Sequence, residues 1–137
     1  MAHTRDSHPI SKWHAYTDDP SPAALNALLH EDVVFHSPVV HTPQRGKAIT
    51  FAYLWAANST LGNESFQYLR EVVDGPHVVM EFETEMDGTT VNGIDMITFD
   101  DAGLIIDFKV MIRPLQAVNK VHQQMGDMLK AMKASQT

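Results

Sequence analysis

The stretch "NGIDMITFDDAGLIIDFKVMI", residues 92–112, places one carboxylate, Asp95, in the middle of a segment that otherwise reads as a half-buried strand. Its partner segment alternates. Leu104, Ile106, Phe108, Val110 and Ile112 form an unbroken apolar set, so that set faces the core. With the turn at "DDAG", residues 100–103, Phe99 opposes Leu104, Ile97 opposes Ile106 and Asp95 opposes Phe108. Opposed residues share a face, so Asp95 points inward. A slip of one residue would reverse the assignment. An ionised carboxylate buried without a partner is very costly. Asp95 is therefore either satisfied by an ion pair or hydrogen bonds, or it lines a pocket whose apolar walls raise its pKa. In that pocket it can donate a hydrogen bond to a ligand oxygen or act as an acid.

A proton acceptor to match it must come from elsewhere. The chain has 8 histidines, and "HSPVVH" carries the tightest pair, His36 and His41. Residues five apart on a strand face opposite sides, but a turn at Pro38 would bring them together. Imidazole as a group ordinarily changes charge near neutral pH, so either is a candidate general base. The histidine spacings match no metal-ligand set, and a metal site needs three or four convergent ligands, so no metal is expected. Ser37 has no "G-x-S-x-G" context and reads as a turn or pocket-polar residue rather than a nucleophile. Trp13, Tyr53, Trp55, Phe66, Tyr68, Met80 and Phe82 suit an apolar pocket and suit a plain core equally. No glycine-rich phosphate loop is present, and no cofactor is expected.

The elements that must hold these residues follow from periodicity and turn chemistry. "HPISKWHAYTDD" predicts a first helix with Ile10, Trp13 and either Tyr16 or Thr17 on one face. "SPAALNALLHEDVVFHSP" predicts a short helix, N-capped by Ser21 with Pro22 in its first turn, running into a strand at Val33, Val34 and Phe35. "VVHTPQRG" reads as a loop, and "KAITFAYLWAANSTLG" as a third helix with Ile49, Leu54 and Ala57 inward and Gly62 as its stop. Four β segments follow, separated by "DGP", "DGTT" and "DDAG". "LQAVNKVHQQMGDMLKAMKA" predicts a C-terminal helix. This order implies an α+β fold, a curved antiparallel sheet wrapped around the N-terminal helices as a cone with an apolar cavity.

Composition narrows the classes. A chain of 137 residues is read as a single domain, 1–137, large enough to bury a core. The net charge of -7, with 17 acidic against 10 basic residues, argues against nucleic acid and anionic membranes as partners. Without cysteine there is no disulfide, thiolate nucleophile or cysteine-ligated zinc. "MAHTRDSHPISKWH" lacks the apolar run of a signal peptide, and no stretch approaches the roughly 18 apolar residues of a membrane span. A cytoplasmic, soluble protein is the expectation.

With these pieces in place the chain resembles the nuclear transport factor 2-like superfamily, in its SnoaL-like and ketosteroid-isomerase-like branch. The resemblance runs from about Ile10 to Ile112, and is carried by "ALLHEDVVFHSPVVHTPQRGKAI" and "GIDMITFDDAGLIIDFKVMI". The latter stretch resembles the strand pair that holds the buried acid of the isomerases, and the match falls on Asp95. Their basic aspartate stands before a proline. In "FHSP" that place is Ser37, with His36 adjacent. At their tyrosine position stands Trp13, with Tyr16 one turn later. One role of three carries over, so standard steroid isomerisation is not expected. The SnoaL-like cyclases pair an aspartate with a nearby histidine and use no cofactor, which Asp95 with His36 or His41 would imitate.

The resemblance implies cofactor-independent acid/base chemistry, isomerase- or cyclase-like, on a small apolar or polycyclic molecule. Asp95 would be the acid or oxyanion donor, His36 or His41 the base. Trp13, Ser37, Tyr53, Phe82, Phe108 and Val110 would contact the ligand. The alternatives are a non-catalytic small-molecule binder, or an interaction module whose sheet face matters. Ile94, Met96, Ile105 and Met111 are expected on the outward face, where family members commonly dimerise, and a homodimer is expected.

Overall fold

The computed structural model describes residues 7–135. The helix α1, Ile10–Asp18, buries Ile10, Trp13 and Tyr16, so of the two candidates for its third inner position Tyr16 is the buried one and Thr17 is only partly covered. The next helix, α2, Pro22–Leu28, is capped by Ser21, whose side chain accepts a hydrogen bond from the Ala24 amide. That bond satisfies one of the orphan donors of the first turn. Strand β1, Leu29–His36, leads to a two-residue strand β2, Gln44–Arg45, and helix α3, Lys47–Thr60.

The C-terminal half is the expected meander: β3, Gln67–Asp74; β4, His77–Met86; β5, Thr89–Phe99; and β6, Ile105–Arg113. Helix α4, Leu115–Ser135, ends the fold. The β4–β5 hairpin turns on Asp87 and Gly88, both at positive φ (48° and 80°). That is the two-residue geometry that an Asp-Gly pair favours.

The strands form one 6-stranded sheet in the order β2-β1-β6-β5-β4-β3. It is curved and open, and with the four helices it makes an α+β cone. All pairings are antiparallel except β1 with β6, which run parallel with Phe35 opposite Phe108. Register shifts in β3/β4, β5/β6 and β1/β6 bend the sheet, as bulges do.

Four expectations need correction. The stretch "VVHTPQRG" is not all loop, because Gln44 and Arg45 pair with Phe35 and Val34. In α3 the inward residues are Thr50, Leu54 and Ala56, while Ile49 is exposed. Ile49 lies five residues from Leu54, about 140° around the helix. In the β5–β6 hairpin Phe99 opposes Ile105, Ile97 opposes Phe108 and Asp95 opposes Val110, with a shift between Thr98 and Phe99. The extra residue of that bulge reverses the start of β6. Ile105 is fully buried rather than outward, and Leu104 and Ile106 are only partly covered. Further along, the offset from the expected pairing is two residues, which preserves the face. Asp95 points inward as expected, although its neighbour across the strands is Val110.

Beneath the sheet the core is continuous from Ile10, Trp13 and Leu25 through Val33, Phe35 and Phe108 to Met80 and Ile97. Another cluster, around Phe82, Val91, Ala117, Val121 and Met125, is where α4 packs.

Candidate functional site

Inside the cone is a cavity of about 290 Å³. It lies at the lower end of the range for small-molecule sites, roughly 300–1,000 Å³. Trp13 and Tyr16 come to it from α1, Phe35 from β1 and Tyr53 from α3. Tyr68 comes from β3, Phe82 from β4, Asp95 from β5, Phe108 and Val110 from β6, and Val121 and Met125 from α4. Ser37 lines it just past the end of β1.

Asp95 is 7% exposed and is reached by one hydroxyl. The Tyr68 OH donates to Asp95 Oδ2 at 2.7 Å, and the Trp13 indole N–H donates to the Tyr68 oxygen at 2.9 Å. The Asp95 carboxyl makes no other hydrogen bond among the described residues. Burial pushes its pKa from 3.8 up to about 7, and the Tyr68 hydrogen bond, which favours the carboxylate, works against that rise. Because Oδ2 accepts from Tyr68, the proton of the acid form is left to Oδ1. Burial, then the Asp95 charge, hold the Tyr68 phenol well above its ordinary value. Burial alone pushes Tyr16 up to about 12.

The walls are aromatic. Trp13 lies 5.1 Å from Phe108 and 5.2 Å from Tyr16, centroid to centroid. Phe35 stacks on Tyr53 at 5.1 Å, and Phe66 meets Tyr68 edge-on at 5.1 Å and stacks on Phe82 at 5.3 Å. Gly93 makes room for Phe82, since a Cβ there would stand 2.7 Å from the Phe82 ring and 2.4 Å from the Met111 carbonyl oxygen. The Tyr16 hydroxyl is buried without a hydrogen-bond partner. Ser37 Oγ accepts from the Val39 amide, which leaves its own proton free to donate inward.

Trp13, Ser37, Tyr53, Phe82, Phe108 and Val110 thus all line the cavity with Asp95. The two histidines do not join them. His36 follows Phe35 on β1 and so faces the other side, where its Nε2 lies 2.9 Å from Asp107 Oδ1. His41 is exposed in the loop before β2 and is not among the lining residues. The turn at Pro38 does not fold them back onto Asp95. Among the described residues no group of three or more His, Asp or Glu is placed to hold a metal.

Sequence reasoning treated Tyr68 as an apolar wall and missed it as the donor to Asp95. The pairing of Tyr68 with Phe82 across β3 and β4 sets the face of its ring, whereas the partner of its hydroxyl lies one strand further on, in β5. It also gave α4 no part in the cavity, although Val121 and Met125 stand one helical turn apart, on one face.

Comparison with known proteins was made by sequence and by structure. A family model described as "SnoaL-like domain" matches residues 10–108. A comparison with curated proteins found no match. Among solved structures, a steroid delta-isomerase from Pseudomonas aeruginosa is 35% identical over 92% of this chain and 92% of that one, with a TM-score of 0.86. An uncharacterized protein with a cystatin-like fold from Silicibacter pomeroyi is 27% identical over 93% and 87%, TM-score 0.79. A hypothetical protein with a ketosteroid isomerase-like fold from Catenulispora acidiphila, in complex with trimethylamine, is 15% identical over 82% and 89%, TM-score 0.60. At that identity the likeness concerns the fold alone.

Proposed function

This chain belongs to the SnoaL-like domain family, and from that premise we propose that its cavity holds a small, largely apolar molecule and that Asp95 moves a proton on it without a cofactor. The observation that carries this reading is the Asp95 carboxyl itself. It is buried against the cavity, fixed at one oxygen by Tyr68, and balanced between its two protonation states near pH 7. A group with its pKa near the working pH is both a usable acid and a usable base. The ionised form takes a proton from carbon beside a ligand carbonyl, and the same carboxyl returns it. Hydroxyls at Tyr16 and Ser37 are available to the developing oxyanion. This is isomerase- or cyclase-like chemistry with one carboxyl in place of the pair expected from Asp95 and a histidine.

The test is hydrogen exchange. The chain is incubated in D2O with a panel of small cyclic ketones, and loss of the α-hydrogen signal is followed by NMR. Exchange that rises with pH through about 7 and disappears in Asp95→Asn supports the reading. Exchange that survives Asp95→Asn overturns it. Standard steroid isomerisation is expected to be little or none, because with serine at position 37 Asp95 alone must serve as both base and acid.

An alternative reading, ligand binding without turnover, has one observation in its favour. Among the described residues Asp95 is the only carboxylate lining the cavity, and no histidine lines it. Tight binding with no exchange for any ketone would establish it.

The homodimer also belongs here. Val72, Val79, Ile94 and Met111 line a shallow groove on the outer face of the sheet, with Val72 63% and Met111 45% exposed. Sedimentation should show a dimer that Met96→Lys, on the same face, dissociates. A monomer at micromolar concentration would reject it.

A further inference from the structure

Among the described residues Asp95 has no counter-ion. Three other carboxylates of the sheet have a cationic or imidazole neighbour outside the cavity: Glu71 with His14, Asp107 with His36 and Glu81 with Arg70. Among the described residues no Lys, Arg or His lines the cavity. Asp95 accepts from the Tyr68 hydroxyl of β3, lies between Met80 of β4 and Val110 of β6 in the sheet, and shares the cavity with Trp13 and Tyr16 from α1, Tyr53 from α3 and Phe108 from β6. His14, which pairs with Glu71, meets the Tyr68 ring edge-on at 5.7 Å and does not line the cavity. An ionised Asp95 is therefore a single negative charge in an enclosure of rings, and ring faces attract cations.

We propose that the cavity is a binding site for an organic monocation, a protonated or quaternary amine on a small apolar body, with Asp95 as its counter-ion and the rings of Trp13, Tyr16, Tyr53, Tyr68 and Phe108 as its cage. The inference rests on the reading that Asp95 presents a free carboxyl oxygen to the cavity. It adds another ligand class, one whose binding itself depends on the protonation state. A neutral ketone can enter whether or not Asp95 is ionised and is acted on by the carboxylate, whereas a cation requires the carboxylate in order to bind. Desolvating a charge is costly unless an opposite charge meets it, and here the partners supply each other's. A bound cation therefore expels the Asp95 proton, and its affinity rises as pH rises.

The experiment uses the whole chain and isothermal calorimetry with three probes: benzyltrimethylammonium, whose charge is permanent; its uncharged near-isostere 2-methyl-1-phenyl-2-propanol; and acetophenone as a neutral acceptor. Each is titrated at about pH 5.5 and about pH 8.5, either side of a carboxyl displaced upward by burial. The cation is expected to bind at least about tenfold more tightly at the higher pH, and at least about tenfold more tightly there than the near-isostere. At neutral pH its binding should release protons, read as a dependence of the heat on the buffer's ionisation enthalpy. Asp95→Asn should abolish both effects. If that variant does not fold, the probe pair and the proton release on the unmodified chain still decide. Equal affinity for cation and near-isostere, or cation binding that is flat with pH, overturns the inference. If acetophenone nevertheless exchanges its methyl hydrogens in D2O, and loses that exchange in Asp95→Asn, the proton-transfer reading stands while the cation site falls. If the cation fails these criteria and no such exchange is seen, both fall.

Discussion

On the outer face of the sheet, Glu81 of β4 lies 2.6 Å from Arg70 of β3 and also accepts a hydrogen bond from Asn92 of β5. On the inner face, further along the same β5, Asp95 is held by a phenol and by no cation. Both carboxylates face mid-strand partners across the sheet, yet their pKa values move in opposite directions. The Arg70 hydrogen bond lowers Glu81, and burial raises Asp95. Charge on this sheet is screened by water on the outer face and desolvated where the helices exclude water. The outer pair is an ordinary surface ion pair. The inner carboxyl, when ionised, is buried at a cost to folding.

The largest effect expected from this contrast is on chemistry. Asp95→Asn should reduce ketone hydrogen exchange on the order of 10²- to 10⁴-fold, the usual range for a lost acid/base group. Glu81→Gln should leave the same rate unchanged. Comparable losses in both variants would erase the distinction between the faces.

Next comes stability against pH. A carboxyl whose folded pKa is raised binds its proton more tightly folded than unfolded. Its contribution is complete below the unfolded value of 3.8 and is lost as pH rises to and through about 7. Over that window the term is of the order of 4 kcal/mol at most. Denaturant titrations at intervals between about pH 4 and 8 should show the unmodified chain losing stability relative to Asp95→Asn, which lacks the group. Parallel curves would show that Asp95 is not perturbed.

A smaller effect is expected at Gly93, also on the inner face. Its missing side chain is filled by the Phe82 ring and the Met111 carbonyl. Gly93→Ala forces one of them to move, and overpacking of this kind typically costs about 1–3 kcal/mol. Chemical denaturation measures the loss, and ligand affinity should fall with it because Phe82 is a cavity wall. The smallest effect belongs to the outer face. Arg70 is largely exposed, and Arg70→Ala should leave the thermal midpoint within error of the unmodified chain.

The inward placement of Asp95 was legible in the sequence because it depends on parity alone. The alternation in β6 survived a pairing error of two residues. What parity does not encode is the bulge at Thr98 and Phe99, so Ile105 was assigned to the wrong face. Helices α1 and α2 were legible from local signals, the shared face of Ile10 and Trp13 and the Ser21 cap. The histidine pairing failed because it required a long-range fact, the parallel docking of β1 on β6. That docking turns Phe35 inward and leaves His36 to Asp107 on the other side. Tyr68 was placed in the right wall for its ring, while its hydroxyl contact crosses from β3 to β5 over β4 and has no local signature. The role of α4 was missed for the same reason, since Val121 and Met125 close a cavity built by residues far earlier in the chain.

The titration of Asp95 itself tests the central claim most directly. Carbon NMR of the side-chain carboxyl in uniformly labelled protein, assigned by comparison with Asp95→Asn, should show a midpoint near 7. A midpoint near 4 for Asp95 would mean that the carboxyl is solvated or paired in solution, and would contradict both the proton-transfer role and the cation site.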